Sequence, residues 1–215
     1  MAMEFILFIV EGSSDEEALV VPIENVISEK KYKTKTKVLY GDILTKYLDG
    51  TNKFEVNTSN INGEFKKLCS KFIISEKAYG LKAKYITKII YVTDTDYCFT
   101  RQENHHKNKK DCLNILFNKK YVELNGSKIP FKVVFMSKNL EHVLVDQDKD
   151  FSDEEKKKIS KKFSDLCLEN FEKYICKFTK EFKIFDNYEK SYKNINEYEI
   201  RTSNMNNLLE ELKLI

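Results

Sequence analysis

FIVEGSSDEEAL, residues 8–19, decides the fold. The apolar run Phe5–Val10 stops at Glu11-Gly12 and passes into an acidic turn and a second apolar segment. IIYVTDTDYC, residues 89–98, repeats the arrangement, with Asp94 and Asp96 directly after Ile89–Val92. Runs of four to six β-branched and apolar residues that end at a turn read as buried strands of a parallel sheet. In open α/β sheets, binding sites form just beyond the carboxyl ends of such strands.

Outward from these two runs the chain alternates strand and helix. Ser14 and Glu17 form a potential capping box for a helix after the first strand, and Pro22 is expected to kink or restart it. A second strand is expected near 37–40, a helix over 61–80, and the aspartate-bearing strand over about 86–93. Residues 97–110 are polar and basic and read as a loop, followed by a short helix near 110–117. A hairpin over 119–136 turns at Asn125-Gly126, and its second arm, Phe131–Met136, is a core strand. Beyond 137 the period changes to about 3.6. Phe163, Cys167, Phe171, Tyr174, Phe178, Phe182 and Phe185 recur at steps of three or four, behind a capping box at Ser152 and Glu155. This predicts one long amphipathic helix whose aromatic stripe packs on the sheet. A last helix from about 204 carries Met205, Leu208, Leu209 and Leu212 on one face.

The pattern predicts an α/β fold: a central, mostly parallel sheet flanked by helices, with long C-terminal helices. Residues 1–147 form the α/β domain and 148–215 a helical extension packed on it. Only 6 glycines and 2 prolines among 215 residues argue against an all-β fold, which needs many turns.

The formal net charge is +3, so nucleic-acid binding is not a property of the whole surface and would need local patches. Two candidates are KKYKTKTK at 30–37, with Lys33 and Lys35, and Arg101–Lys110, with Lys107 and Lys109. The plain alternative for each is a solvated lysine-rich surface. The five cysteines are scattered, without zinc spacing. They and the absence of a signal core fit a reducing cytoplasmic compartment. No stretch is long enough to span a membrane.

Glu11, Asp94 and Asp96 belong to separate strand ends, but neighbouring strands lie only about 4.8 Å apart. Carboxylates gathered there suit a hard divalent cation, Mg²⁺ or Mn²⁺. Such an ion would relieve their repulsion and act on a phosphate. Gly12 is expected to allow a tight turn and, with Ser13, a phosphate approach to the following helix. Arg101 would grip a phosphate as a planar guanidinium. KVVFMSKNLEHVL, residues 132–144, adds a third strand end. Its Glu141 either faces the same site, helping to hold a second ion, or only complements a helix dipole.

A glutamate-glycine after the first strand, with Asp-x-Asp after a later one, resembles the Toprim domain of topoisomerases, primases and small maturation nucleases. VEGSSDEEALVVPI, with Leu140-Glu141 after a further strand, is most similar to the Toprim nuclease domains of OLD-family and RloB-like proteins. The resemblance spans about residues 4–146. It implies a metal-dependent nuclease acting on DNA or RNA, in a phage-defence or restriction setting. In that scheme Glu11, Asp94 and Asp96 are catalytic, Glu11 as general base or metal ligand. One or two ions are held by Glu11, Asp15, Asp94, Asp96 and Glu141. OLD proteins also carry an ATPase. This chain has no GxxxxGK[ST] motif, which leaves a stand-alone domain or an ATPase partner protein. The alternatives are a catalytically inactive Toprim-like module that binds nucleic acid or nucleotide, or a nucleotide-sugar glycosyltransferase using Asp-x-Asp. The latter leaves Glu11 unexplained.

Overall fold

The structure, a computed structural model, describes residues 3–29, 33–46, 53–195 and 201–215. Residues 30–32 of the first basic patch lie outside the described residues.

Five strands form one sheet: β1 (Glu4–Val10), β2 (Thr34–Tyr40), β3 (Ile86–Asp94), β4 (Tyr121–Leu124) and β5 (Ser127–Met136). Their order is β2-β1-β3-β5-β4, parallel except for β4, which runs antiparallel to β5. The α/β expectation holds. Asn125 and Gly126 both take positive φ, 49° and 79°, giving the tight β4–β5 hairpin that an Asn-Gly pair favours.

Alternation along β1 builds two core layers. Phe5, Leu7 and Ile9 face the helices α3 (Ile61–Ser75) and α4 (Asn104–Phe117), through Phe65, Cys69, Leu113 and Leu116. Ile6, Phe8 and Val10 face α2 (Val21–Glu29), α5 (Leu140–Val145), α6 (Asp153–Glu169), α7 (Phe171–Thr179) and the last helix, Met205–Glu211. The chain therefore leaves β1 over one face to reach β2 and returns over the other to reach β3. The crevice between the ends of β1 and β3 is the switch point of the sheet, where such folds bind ligands.

The segment after β1 begins earlier than expected. Gly12, not Ser14, precedes the opening turn α1 (Ser13–Asp15), and the Asp15 carboxylate accepts the Gly12 N–H at 2.9 Å. The chain then widens into a π-helical turn, Glu16–Val20, before α2. Pro22 lies just beyond that turn and has no N–H to offer the Ala18 carbonyl. The buried Tyr174 hydroxyl donates to that carbonyl instead, at 3.0 Å.

Two sequence expectations are corrected. The predicted loop 97–110 is helical from Asn104 onward. The predicted single helix through Phe185 breaks at Asn170, whose side chain accepts the Lys173 N–H and starts α7. Phe163, Cys167, Tyr174 and Phe178 stay on the α2 side of the sheet. Phe185, beyond α7, instead packs on the opposite layer against Phe135, with ring centroids 6.0 Å apart.

β4 covers only the first part of β5. Further along, side chains serve the bare strand edge. The Tyr192 hydroxyl bonds to both the N–H and the carbonyl of Val133, at 3.0 and 2.8 Å. Asn204 accepts the Phe135 N–H at 2.9 Å and donates to the Val133 carbonyl at 3.1 Å. Ser203 donates to the Phe135 carbonyl at 2.8 Å. The edge is thus closed to pairing with another chain.

Candidate functional site

The register puts Ile9 of β1 beside Tyr91 of β3, so two residues on, Glu11 comes level with Thr93. The Thr93 hydroxyl donates to Glu11 Oε1 at 2.6 Å, and the Asp94 N–H approaches the same oxygen at 3.3 Å. Asp94 pairs in register with Met136 at the end of β5. Asp96 takes a left-handed φ of 47° and Lys138 one of 58°, and the Asp96 N–H donates to the Lys138 carbonyl at 2.6 Å. The Lys138 N–H in turn bonds to the Thr95 hydroxyl at 2.9 Å. The Asp-x-Asp loop is therefore fastened to the loop after β5, and its two carboxylates are set by backbone contacts.

Two more carboxylates come from short helical turns. Asp15 is buried in the loop after β1, and Glu141 is 2% exposed in the first turn of α5. Burial above all, then Glu11 and to a lesser degree Glu141, raises the pKa of Asp15. The neighbour of Glu141, His142, turns away and bonds to Ser137 through Nδ1. This is what adjacent helix positions require.

Like charges in a shielded place disfavour ionisation. Burial first, then Glu11, pushes Asp15 up to about 7. Burial, then Glu11 and Asp15, pushes Asp94 well above the usual carboxylate range. Glu11 is also raised, by burial against the pull of Lys109 and the Thr93 hydrogen bond. Asp94 Oδ1 is buried without a hydrogen-bond partner, and no side-chain bond serves the Glu141 carboxylate among the described residues.

Among the described residues, Lys109 answers this charge. Lys109 is 2% exposed, and its Nζ lies 2.7 Å from Asp96 Oδ2 and 3.7 Å from Glu11 Oε1. Burial alone would lower its pKa, but Glu11 and Asp96 outweigh burial and raise it. Lys109 was expected on a basic surface and is instead inside the acidic site. The signal was present: His106, Lys109, Cys112, Leu113 and Leu116 share the buried face of α4. Reading 97–110 as a loop hid that stripe.

The other expected residues fall elsewhere. Gly12 is extended, at φ −150° and ψ 179°, and a side chain there would meet nothing within 4 Å. No tight glycine turn is made, contrary to expectation. Ser13 is exposed beside it. Arg101 is exposed and stacks on the Tyr97 ring, 3.9 Å from its centroid. Lys107 is exposed on α4. Lys33 and Lys35 belong to the amino end of β2. Lys35 pairs with Phe5, six residues before Glu11, or about 20 Å at the usual rise. They therefore lie at the far end of the sheet from the carboxylates. Asp42, just after β2, was not anticipated. It contributes to raising Glu11 while its Oδ1 accepts the Leu44 N–H at 3.2 Å.

The donors are all oxygen, the kind that suits a hard cation. Among the described residues, no three His, Cys, Asp or Glu side chains converge closely enough to hold a metal ion as they stand. No family model, curated protein or solved structure matches this chain. Among the described residues, no helix is long and apolar enough to cross a membrane.

Proposed function

We propose that the strand ends form the site of a divalent-cation-dependent phosphodiesterase, a nuclease acting on DNA or RNA. The observation that carries this is the set of carboxylates Glu11, Asp15, Asp94 and Glu141, carried at three strand ends, with Asp94 Oδ1 buried and unpartnered. A buried acid normally finds a partner, and each exception asks for an explanation. The donor chemistry fits Mg²⁺ or Mn²⁺, with Glu11, Asp15, Asp94 and Glu141 as the residues that would hold it and Asp96 already engaged by Lys109. A cation bound there would lower the pKa of water and offset the charge of a phosphodiester.

The chain's own groups have separable tasks. Glu11 is the base: it takes the proton of the attacking water as the new P–O bond forms and the bond to the leaving oxygen breaks. The leaving oxygen then takes a proton from solvent. Thr93 is a positioning residue, since its hydroxyl fixes Glu11 Oε1. Lys109 holds Glu11 and Asp96 in place and presents positive charge to an incoming phosphate.

The adjacency of β1 and β3, with Glu-Gly after one and Asp-x-Asp after the other, supports the Toprim reading of the motifs. The five cysteines, free of disulfides, support a reducing cytoplasmic setting. The phage-defence setting and an ATPase partner rest on the resemblance to OLD-family and RloB-like proteins.

The test is cleavage of labelled single-stranded and duplex DNA and RNA with Mg²⁺ or Mn²⁺, beside Asp94→Asn. Cleavage that needs the metal and falls by about 10³-fold or more in the variant is the expected result. Nucleic-acid binding unaffected by chelator, with no cleavage under any divalent ion, would make the protein a binding module.

A further inference from the structure

The richest run of lysines in the chain lies outside both basic patches singled out in the sequence. In α6, Lys157, Lys158, Lys161 and Lys162 are all exposed. Their spacing of one, four and five residues puts them on one side of the helix. Among the described residues none of the four takes part in an ion pair, whereas nearby Lys149 and Lys177 are paired with Glu155 and Glu181. The run escapes notice in a charge count because acidic residues occupy both ends of the helix.

α6 packs against the acidic loop after β1, and a cavity of 390 Å³ opens between them. Ser13, Ser14 and Glu17 line it from the loop, and Lys157, Ser160 and Lys161 from the helix. Ser160 is 1% exposed and its hydroxyl has no hydrogen-bond partner. A second cavity, of 790 Å³, continues along the helix past Lys158 and Lys162 to Lys177, with Asp165 and Glu169 as its acidic lining. Lys161 lines both cavities. We take the two, which share Lys161, as one groove, cationic along its middle, whose near end is the loop that carries Glu11 and Asp15.

We propose that this groove is the track for a nucleic-acid strand, with the smaller cavity taking a backbone phosphate beside the one to be cut. The proposal rests on the nuclease reading of the carboxylates and adds how the substrate reaches them. Charge complementarity selects the ligand. Unpaired lysines on successive turns, about 6 Å apart along the helix at 1.5 Å per residue, match a repeating anion. Serine hydroxyls at the near end are the neutral donors that phosphate oxygens accept from. Glu17 opposes an anion in the smaller cavity, so it tempers affinity at the entrance to the carboxylates.

The experiment is fluorescence anisotropy with a labelled oligodeoxynucleotide and the matching oligoribonucleotide, in chelator, over a salt series. The double variant Lys157→Gln/Lys161→Gln is expected to bind about 10-fold more weakly or worse. Its slope of log affinity against log salt should shrink by roughly 1.4–1.8, two phosphate contacts' worth. Glu17→Gln is expected to bind more tightly. Lys82→Gln/Lys84→Gln, at the amino end of β3, should leave both affinity and slope unchanged. Unaltered affinity and slope in the α6 variant, with wild-type cleavage intact, would overturn the track and leave the nuclease reading standing. A wild-type protein that neither binds nor cleaves the oligonucleotides would overturn both, as would binding to anionic lipid vesicles alone.

Discussion

Two regions at the carboxyl side of the sheet bury polar groups, and they treat them in opposite ways. Along the bare edge of β5, Asn204, Ser203 and Tyr192 match backbone donors and acceptors bond for bond. At the ends of β1 and β3, a few residues away, carboxylates crowd one another and Asp94 Oδ1 has no partner. The first arrangement closes a fold. The second costs stability, because each shielded anion raises the pKa of the next. The backbone groups of the β5 edge are matched within the chain, whereas Asp94 Oδ1, an acid oxygen among other acids, is left for an outside cation to serve.

The largest expected effect concerns Lys109, the buried lysine of the site. Lys109→Met removes the partner of Glu11 and Asp96 and should destabilise the metal-free protein by about 3–5 kcal/mol, as breaking a buried pair does. Denaturant midpoints measured with and without Mn²⁺ check this. Added Mn²⁺ should restore much of the loss, and a variant as stable as wild type would remove Lys109 from the account.

Asp15 gives the acidic region a pH signature. Its carboxyl is pushed up to about 7 in the folded protein, against an ordinary value near 3.8. Between these pH values the folded state keeps a proton that the unfolded chain has lost. Metal-free stability therefore falls as pH rises from about 4 to about 7 and levels off above that, by at most about 4 kcal/mol from this group. Urea midpoints in chelator across that range should show the fall, and Asp15→Asn should shrink it. An unchanged slope in the variant would mean that Asp15 is not held under repulsion.

The satisfied region should respond without any pH dependence. Asn204→Ala leaves the Phe135 N–H without its acceptor and takes one of two donors from the Val133 carbonyl, and should cost about 2–3 kcal/mol at every pH. Urea midpoints at pH 5 and 8 make the comparison. A loss that varied with pH as that of Asp15 does would erase the distinction between the two regions. The smallest effect is local. Tyr174→Phe withdraws the donor to Ala18 and should cost about 1 kcal/mol, seen as a small drop in thermal midpoint. No change would mean that the π-helical turn serves its own carbonyl.

The legible parts of the sequence are those that short-range pattern controls. Phe5–Val10 and Ile89–Val92 read as buried strands because apolar runs that end at turns have few other uses, and Asn125-Gly126 reads as a hairpin because both residues tolerate positive φ. The carboxylates were legible from their strand ends. Lys109 was not, because a lysine in a polar stretch looks solvated until the helical period of α4 places it with Cys112 and Leu116. The break at Asn170 was hidden by an aromatic spacing that continues across it. The α6 groove depends on which loop the helix packs against, which no local pattern encodes.

The most direct test of the central claim is a crystal structure of the protein soaked in Mn²⁺, read by anomalous scattering. A peak is expected among Glu11, Asp15, Asp94 and Glu141, with Asp94 Oδ1 turned to the ion and the Lys109–Asp96 pair kept. A clean absence of anomalous density there at saturating Mn²⁺, with Asp94 Oδ1 still unpartnered, would contradict it.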